Sequence, residues 1–186
     1  IVFVSSISFS TWATQSNTIL EVIEVTAQKR IQSINEIPMA ITAFNAEQLN
    51  EMGIEDTTDL ATVVPGFNYS NTAFGPPVYT LRGVGFNESS AQATATVGVY
   101  IDEISIPFPI MTKGANIDIE RVEILKGPQG TLYGSNATAG AINYIAAKPD
   151  EDFEAGIKAT IASFQTFSGD GYLTGSLTEN VNARFA

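Results

Sequence analysis

The chain has 186 residues, 44% hydrophobic and 10% aromatic, enough for one packed domain with an appendage and outside the range of disordered chains. Its 9 Lys and Arg against 20 Asp and Glu give a net charge of -11, which repels phosphate backbones, so nucleic acid is not expected as a partner. With 0 His and 0 Cys the chain has no disulfide, no thiolate or imidazole metal site and no histidine-based triad, and neither metal nor cofactor is expected.

The N-terminal run Ile1-Val2-Phe3-Val4-Ser5-Ser6-Ile7-Ser8-Phe9 is uncharged and apolar and ends at Thr11-Trp12-Ala13. It has about half of the roughly 20 residues that a spanning helix needs, so 1–13 reads as the tail of a secretory signal, with a buried first strand as the alternative. It lacks an initiating Met and a basic start, and the chain is therefore expected to be cut at its front. Ile19 to Ala27 is β-branched and favours an extended backbone, a strand with no obvious partner, and Gln28 to Asn35 is a polar connector.

Ile37 to Phe44 predicts a strand that Pro38 is only permitted to open. Asn45 with Gln48 three residues on predicts a capping box for a helix through Met52, stopped by Gly53. A second short helix, capped by Asp56 or Thr57, carries Leu60, Val63 and Val64 and ends at Pro65-Gly66. Further strands are expected at Phe67 to Ser70, Val78 to Val84, Val97 to Ile101 and Arg121 to Leu125, in an α+β order. From Asp152 onward the apolar residues Phe153, Ala155, Ile157, Ala159 and Ile161 alternate with polar ones; Ser168-Gly169-Asp170-Gly171 reads as a turn, Leu173 and Leu177 mark a returning strand, and Glu179-Asn180 leads into a third. Strands of about 9 to 11 residues with one apolar and one polar face suit a membrane barrel with a wet lumen, but a soluble hairpin has the same pattern and on these residues alone is the preferred reading.

The segment Glu120-Arg121-Val122-Glu123-Ile124-Leu125-Lys126, followed by the glycine-rich run Gly127 to Ile145, should weave compactly against another surface, because its glycines permit positive φ and close backbone approach. It is not a phosphate-cradling loop, since no Gly-Lys-Ser/Thr closes it. It resembles the plug-domain signature of TonB-dependent outer-membrane receptors. In the same order, Glu21 to Ala27 resembles that family's TonB box, Val78 to Gly85 its arginine-glycine strand, and Val97 to Glu103 the strand carrying its acidic turn. The resemblance runs from Leu20 to Ala186 and departs at Lys126, where many members carry arginine; lysine keeps the charge but loses the bidentate fork.

The resemblance implies an α+β plug domain, a small mixed sheet with short helices, followed by the first antiparallel strands of a transmembrane β-barrel. It divides the chain into a signal remnant (1–13), TonB box and linker (14–35), plug (36–149) and barrel strands (150–186). The family's barrel has about 22 strands, so the chain is expected to be a fragment. The implied function is TonB-dependent active import of a scarce ligand, a ferric siderophore first, with cobalamin, an oligosaccharide or a non-transport binding module as alternatives. Partners would be the TonB C-terminal domain, pairing with Glu21, Val22, Ile23, Glu24, Val25, Thr26 and Ala27 as they hang into the periplasm, and outer-membrane lipid. Arg82, Glu120, Arg121, Glu123 and Lys126 are candidates for a charged latch between plug and barrel, and Phe74, Tyr79, Phe86, Asn87 and Phe108 for ligand contact from the apical loops. An enzyme is not expected, because its one obvious carboxylate pair, Asp102 and Glu103, would point to opposite faces of a strand.

Overall fold

Alternating apolar residues in the middle of the chain build a five-stranded mixed sheet. The computed structural model describes residues 24–26, 29–30, 32–71, 77–85, 95–107, 111, 118–162 and 166–186. Strands β1 (Glu24–Val25) and β2 (Gln32–Ser33) form a small antiparallel pair. The main sheet contains β3 (Ala40–Asn45), β6 (Val97–Ile101), β7 (Ile104–Ile106), β8 (Ile119–Lys126) and β9 (Gly140–Ala146), in the order β3-β8-β9-β6-β7. Among the described strands only β6 and β9 run parallel. The pair β4 (Phe67–Asn71) and β5 (Pro77–Leu81) forms a separate hairpin, and helices α1 (Ala46–Glu51), α2 (Leu60–Val63) and α3 (Gly130–Tyr133) are short.

The period of two along β8 and β9 divides the core. Val122, Ile124, Ile142 and Tyr144 face one side, where Leu49, Leu60, Val64, Phe67 and Leu81 cover them; Leu125 and Ala141 face the other, with Val25, Ile37, Tyr100 and Tyr133. Because both faces are buried, β9 shows no alternation in sequence, and its strand character was hidden inside the glycine-rich run. Gly140 must be glycine: its φ is +156°, and a Cβ there would lie 2.3 Å from the Leu125 carbonyl oxygen.

Helix α1 forms as the capping box predicts, with the Asn45 side chain accepting from Gln48 N at 2.8 Å and the Gln48 side chain from Asn45 N at 3.1 Å. Neither Asp56 nor Thr57 caps α2; Asp59 precedes it, and its carboxylate accepts instead from Glu55 N and Asp56 N. Thr57 is buried, its hydroxyl bonded to Tyr144 Oη at 2.8 Å. The strand expected to reach Val84 stops at Leu81, where Arg82 (φ 52°) and Gly83 (φ 79°) turn the chain.

A second sheet follows, ordered β10 (Glu154–Ala162), β11 (Thr166–Thr178) and β12 (Val181–Phe185). The turn expected at Ser168–Gly171 is instead internal to β11, and these residues pair with β10. Glycine serves packing here: a Cβ on Gly171 would stand 3.1 Å from the Gly156 oxygen, and the Tyr172 ring lies over Gly156. The residues 1–13 read as a signal remnant lie outside the described residues.

Candidate functional site

Two sets of contacts converge on the five-stranded sheet. The first belongs to the N-terminal hairpin. Of the candidate coupling peptide, Glu24, Val25 and Thr26 are described, whereas Glu21, Val22, Ile23 and Ala27 lie outside the described residues. These three do not hang free as expected. Val25 is fully buried in the second core cluster, and Thr26 donates from N at 2.7 Å and from Oγ1 at 3.1 Å to Oε1 of Glu123. The physical reason is burial: Val25 fills a position beside Leu125 and Ala141 that solvent would otherwise reach.

Glu123 lies on β8 and is fully buried. Register places it beside Ala43 on one side and Asn143 on the other, and Asn143 in turn beside Tyr100, so a polar row crosses the face that the hairpin covers. The same Glu123 oxygen also accepts from Arg121 Nε at 2.9 Å, while Oε2 has no partner among the described residues. Asn143 Oδ1 accepts from Glu103 N at 3.1 Å, and the Glu103 carboxylate lies 3.6 Å from Lys29 Nζ, a second tie between hairpin and plug. Burial first, then the negative charges of Glu123 and Glu103 and the neighbouring Tyr100, pushes the Tyr133 hydroxyl well above the ordinary tyrosine range. Tyr100 packs edge-on against Tyr133 at 4.8 Å and donates to the Tyr133 carbonyl at 2.6 Å.

The second set joins the two sheets. Arg184 of β12 grips Asp118, in the turn just before β8, through two hydrogen bonds, Nε to Oδ2 at 2.6 Å and Nη2 to Oδ1 at 2.5 Å, and its guanidinium lies 4.1 Å above the Tyr172 ring. Lys158 Nζ donates to Asn50 Oδ1 at 2.7 Å. On the opposite face Phe153 is 76% and Ile157 92% exposed, with Ile161, Phe167, Leu177 and Phe185 beside them. The three strands therefore turn polar groups toward the plug and a band of large apolar side chains away from it.

The five latch candidates are only partly brought together. Glu123 and Arg121 pair with each other, and Arg121 also contacts the exposed Glu120, all within β8. Arg82, exposed in its turn, and Lys126 lie close: burial first and then the Arg82 charge lower the Lys126 pKa. Neither has an ion pair among the described residues. The contact that does cross to the wall, Asp118–Arg184, escaped sequence reasoning because its members are 66 residues apart with no local motif. Of the ligand-contact candidates, Phe74, Phe86, Asn87 and Phe108 lie outside the described residues. Tyr79 turns inward: it is 5% exposed and stacks on Phe67 at 5.7 Å, so its ring is core rather than ligand surface. Asp102 and Glu103 are not on a strand; with φ of 46° and 68° they form the turn between β6 and β7.

A mixed-sheet domain gripped by polar side chains of a strand sheet whose outer face is apolar has the architecture of a stopper seated in a membrane barrel. The chain belongs to the TonB-dependent receptor plug domain family, whose model matches residues 33–141. It is 35% identical over 173 residues to the pesticin receptor of Yersinia enterocolitica, covering 84% of this chain and 24% of that protein. It is 32% identical over 127 residues to the vitamin B12 transporter BtuB of Vibrio vulnificus, covering 67% of this chain and 20% of that one. The crystal structure of the ferric yersiniabactin uptake receptor FyuA from Yersinia pestis superposes with a TM-score of 0.70 at 29% identity, over 78% of this chain and 23% of that chain. The chain thus spans about a quarter of the length of these relatives. Its family is one of receptors and transporters of the bacterial outer membrane, and the exposed apolar band on β10–β12 has the pattern of an outward-facing barrel surface.

Proposed function

We propose that this chain supplies the plug, the energy-coupling peptide and the first wall strands of a receptor that actively imports a ferric siderophore across the outer membrane. In this reading residues 14–35 form the coupling peptide and linker, 36–149 the plug and 150–186 the wall. The observation that carries it is the docking of Glu24–Thr26: Glu24 and Val25 pair only with the linker residues Ser33 and Gln32, while the buried Val25 and the Glu123 carboxylate hold the extended peptide to β8 of the plug sheet. An extended segment held by so few contacts can be released to strand addition, in which backbone bonds supply affinity and alternate side chains supply specificity. The TonB C-terminal domain is the partner strand, and a pull on Thr26 reaches β8 directly. Relatives named for ferripyoverdine and ferric yersiniabactin support an iron-chelate cargo. Cobalamin is the second reading, favoured by the match to a vitamin B12 transporter. The chain carries no catalytic role.

Deleting residues 21–27 from the complete receptor tests the reading. Uptake of radiolabelled ferric siderophore should stop while binding of the same chelate to whole cells persists; undiminished uptake would remove the coupling role. Competition by cobalamin, and not by ferric chelates, would move the cargo to the second reading.

A further inference from the structure

We propose that Glu123 is a clasp that holds the end of the coupling peptide against the plug, and that this carboxylate, more than the β1–β2 ladder, sets how much of the peptide a partner strand can reach. The inference rests on residues 21–27 being the coupling peptide.

The ladder alone is too small to hold the segment. Among the described residues it joins Glu24 to Ser33 and Val25 to Gln32, and isolated two-stranded hairpins are marginal in water even when longer. Thr26, the next residue, leaves the ladder and commits both of its donors to one charged oxygen, at 2.7 Å and 3.1 Å. Hydrogen bonds to an ionised acceptor are roughly twice as strong as neutral ones, more so at a fully buried site. While the clasp is closed the Thr26 N–H is not available to an incoming strand.

The clasp is also built to reopen. A buried carboxylate stripped of its partners is costly, but Glu123 keeps Arg121 Nε at 2.9 Å when Thr26 departs, so opening leaves no buried charge unpaired. Thr26 regains water. A carboxylate with no second partner would hold the peptide too firmly to yield; an apolar residue would leave it only Val25 and the Lys29–Glu103 contact.

The test uses the complete receptor in detergent, without siderophore, carrying a spin label on Glu24→Cys, whose side chain is exposed. Peptide mobility is read by electron paramagnetic resonance, and affinity for the purified TonB C-terminal domain by calorimetry. Glu123→Ala should mobilise the label and tighten TonB binding by about tenfold, because apparent affinity scales with the accessible fraction. Glu123→Gln, whose amide oxygen still accepts both Thr26 bonds, should stay within about threefold of wild type. Should Glu123→Ala fail to fold, Thr26→Val decides: it removes one clasp bond without touching the buried pair and should loosen the label part-way. A label equally immobile in Thr26→Val and in a folded Glu123→Ala overturns the clasp. Loss of TonB binding on deleting 21–27 keeps the coupling reading alive in that case, whereas TonB binding that survives the deletion ends the coupling reading itself.

Discussion

Cutting the grip of Arg184 on Asp118 should loosen the plug from the wall by a measurable amount. Arg184→Ala removes two charge-assisted hydrogen bonds, at 2.6 and 2.5 Å, together with a guanidinium 4.1 Å above Tyr172. Breaking a buried pair on one side costs about 3 to 5 kcal/mol, and an exposed pair contributes under about 1. With side chains 14% and 18% exposed, this pair lies between those limits, at about 2 kcal/mol. Loss of the stacked cation adds about 1 kcal/mol. Arg184→Ala should therefore cost about 3 kcal/mol, and Arg184→Lys about 1 to 2, since lysine keeps the charge but not the fork. Calorimetric unfolding of the purified receptor, run as a double-mutant cycle with Asp118→Ala, should give a coupling of about 2 kcal/mol. Cells carrying Arg184→Ala should also admit antibiotics too large for a plugged barrel. Purely additive single mutants, with coupling under about 0.5 kcal/mol, would refute the grip as an energetic contact.

Three other predictions follow from separate features. Ile157→Lys, at a position 92% exposed, would be almost neutral on a soluble sheet, but on a lipid-facing strand it should cost about 2 to 4 kcal/mol near the midplane, read as reduced folded protein in outer-membrane fractions and a lower urea midpoint in liposomes. Gly140→Ala would put a methyl 2.3 Å from a backbone oxygen and 2.4 Å from Leu81 Cδ2; the loss should exceed about 3 kcal/mol, seen as failure of the plug to resist protease in isolated membranes. Alkali should unfold the plug: burial raises the pKa of Tyr100, Tyr133 and Tyr144 above the ordinary tyrosine value of about 10, so above that pH the unfolded chain sheds protons that the folded one keeps. Stability is then intact below about pH 10 and falls above it, by up to about 1.4 kcal/mol per pH unit for each tyrosine. Tyr144→Phe should reduce that slope by about a third at an initial cost of about 1 to 3 kcal/mol, because it orphans the buried Thr57 hydroxyl; a pH titration of the thermal midpoint checks both.

Local chemistry was legible in the sequence, and long-range chemistry was not. The Asn45–Gln48 box and the Gly53 stop lie within one helix and were read correctly, because each side chain satisfies a backbone group a few residues away. The barrel-type alternation from Phe153 was legible for the same reason, since a strand's two faces are written in adjacent residues. Glycine misled where its role was packing: Gly169 and Gly171 signal a turn by composition, yet they lie within β11. Strand β9 was invisible because Gly140 to Ile145 are all buried, which erases alternation. The inward ring of Tyr79, the Val25 anchor and the Asp118–Arg184 grip depend on elements distant in the chain, and no spacing rule encodes them.

The plug is unevenly held, and that unevenness bears on how it could respond to a pull. Strands β3, β8, β9 and β6 are joined by registers of five to seven paired residues, and both of their faces are packed. Among the described residues the N-terminal hairpin has two residue pairs, one buried valine, the Thr26 bonds and the half-exposed Lys29–Glu103 contact. Hydrogen bonds to a charged partner contribute about 1.5 to 3 kcal/mol each and a buried valine about 1.5. Docking of the peptide, after the entropy of ordering it, is therefore worth a few kcal/mol at most, against an ordinary domain stability of about 5 to 15. A force applied at the peptide meets its weakest link first: the hairpin comes away from β8 while the sheet keeps its register. The same arithmetic applies at the wall, where single polar contacts such as Lys158 to Asn50 sit between two well-paired sheets. The chain concentrates its stability inside each sheet and leaves the seams between them to a few separable polar contacts, so displacement of a part requires far less energy than unfolding of the whole.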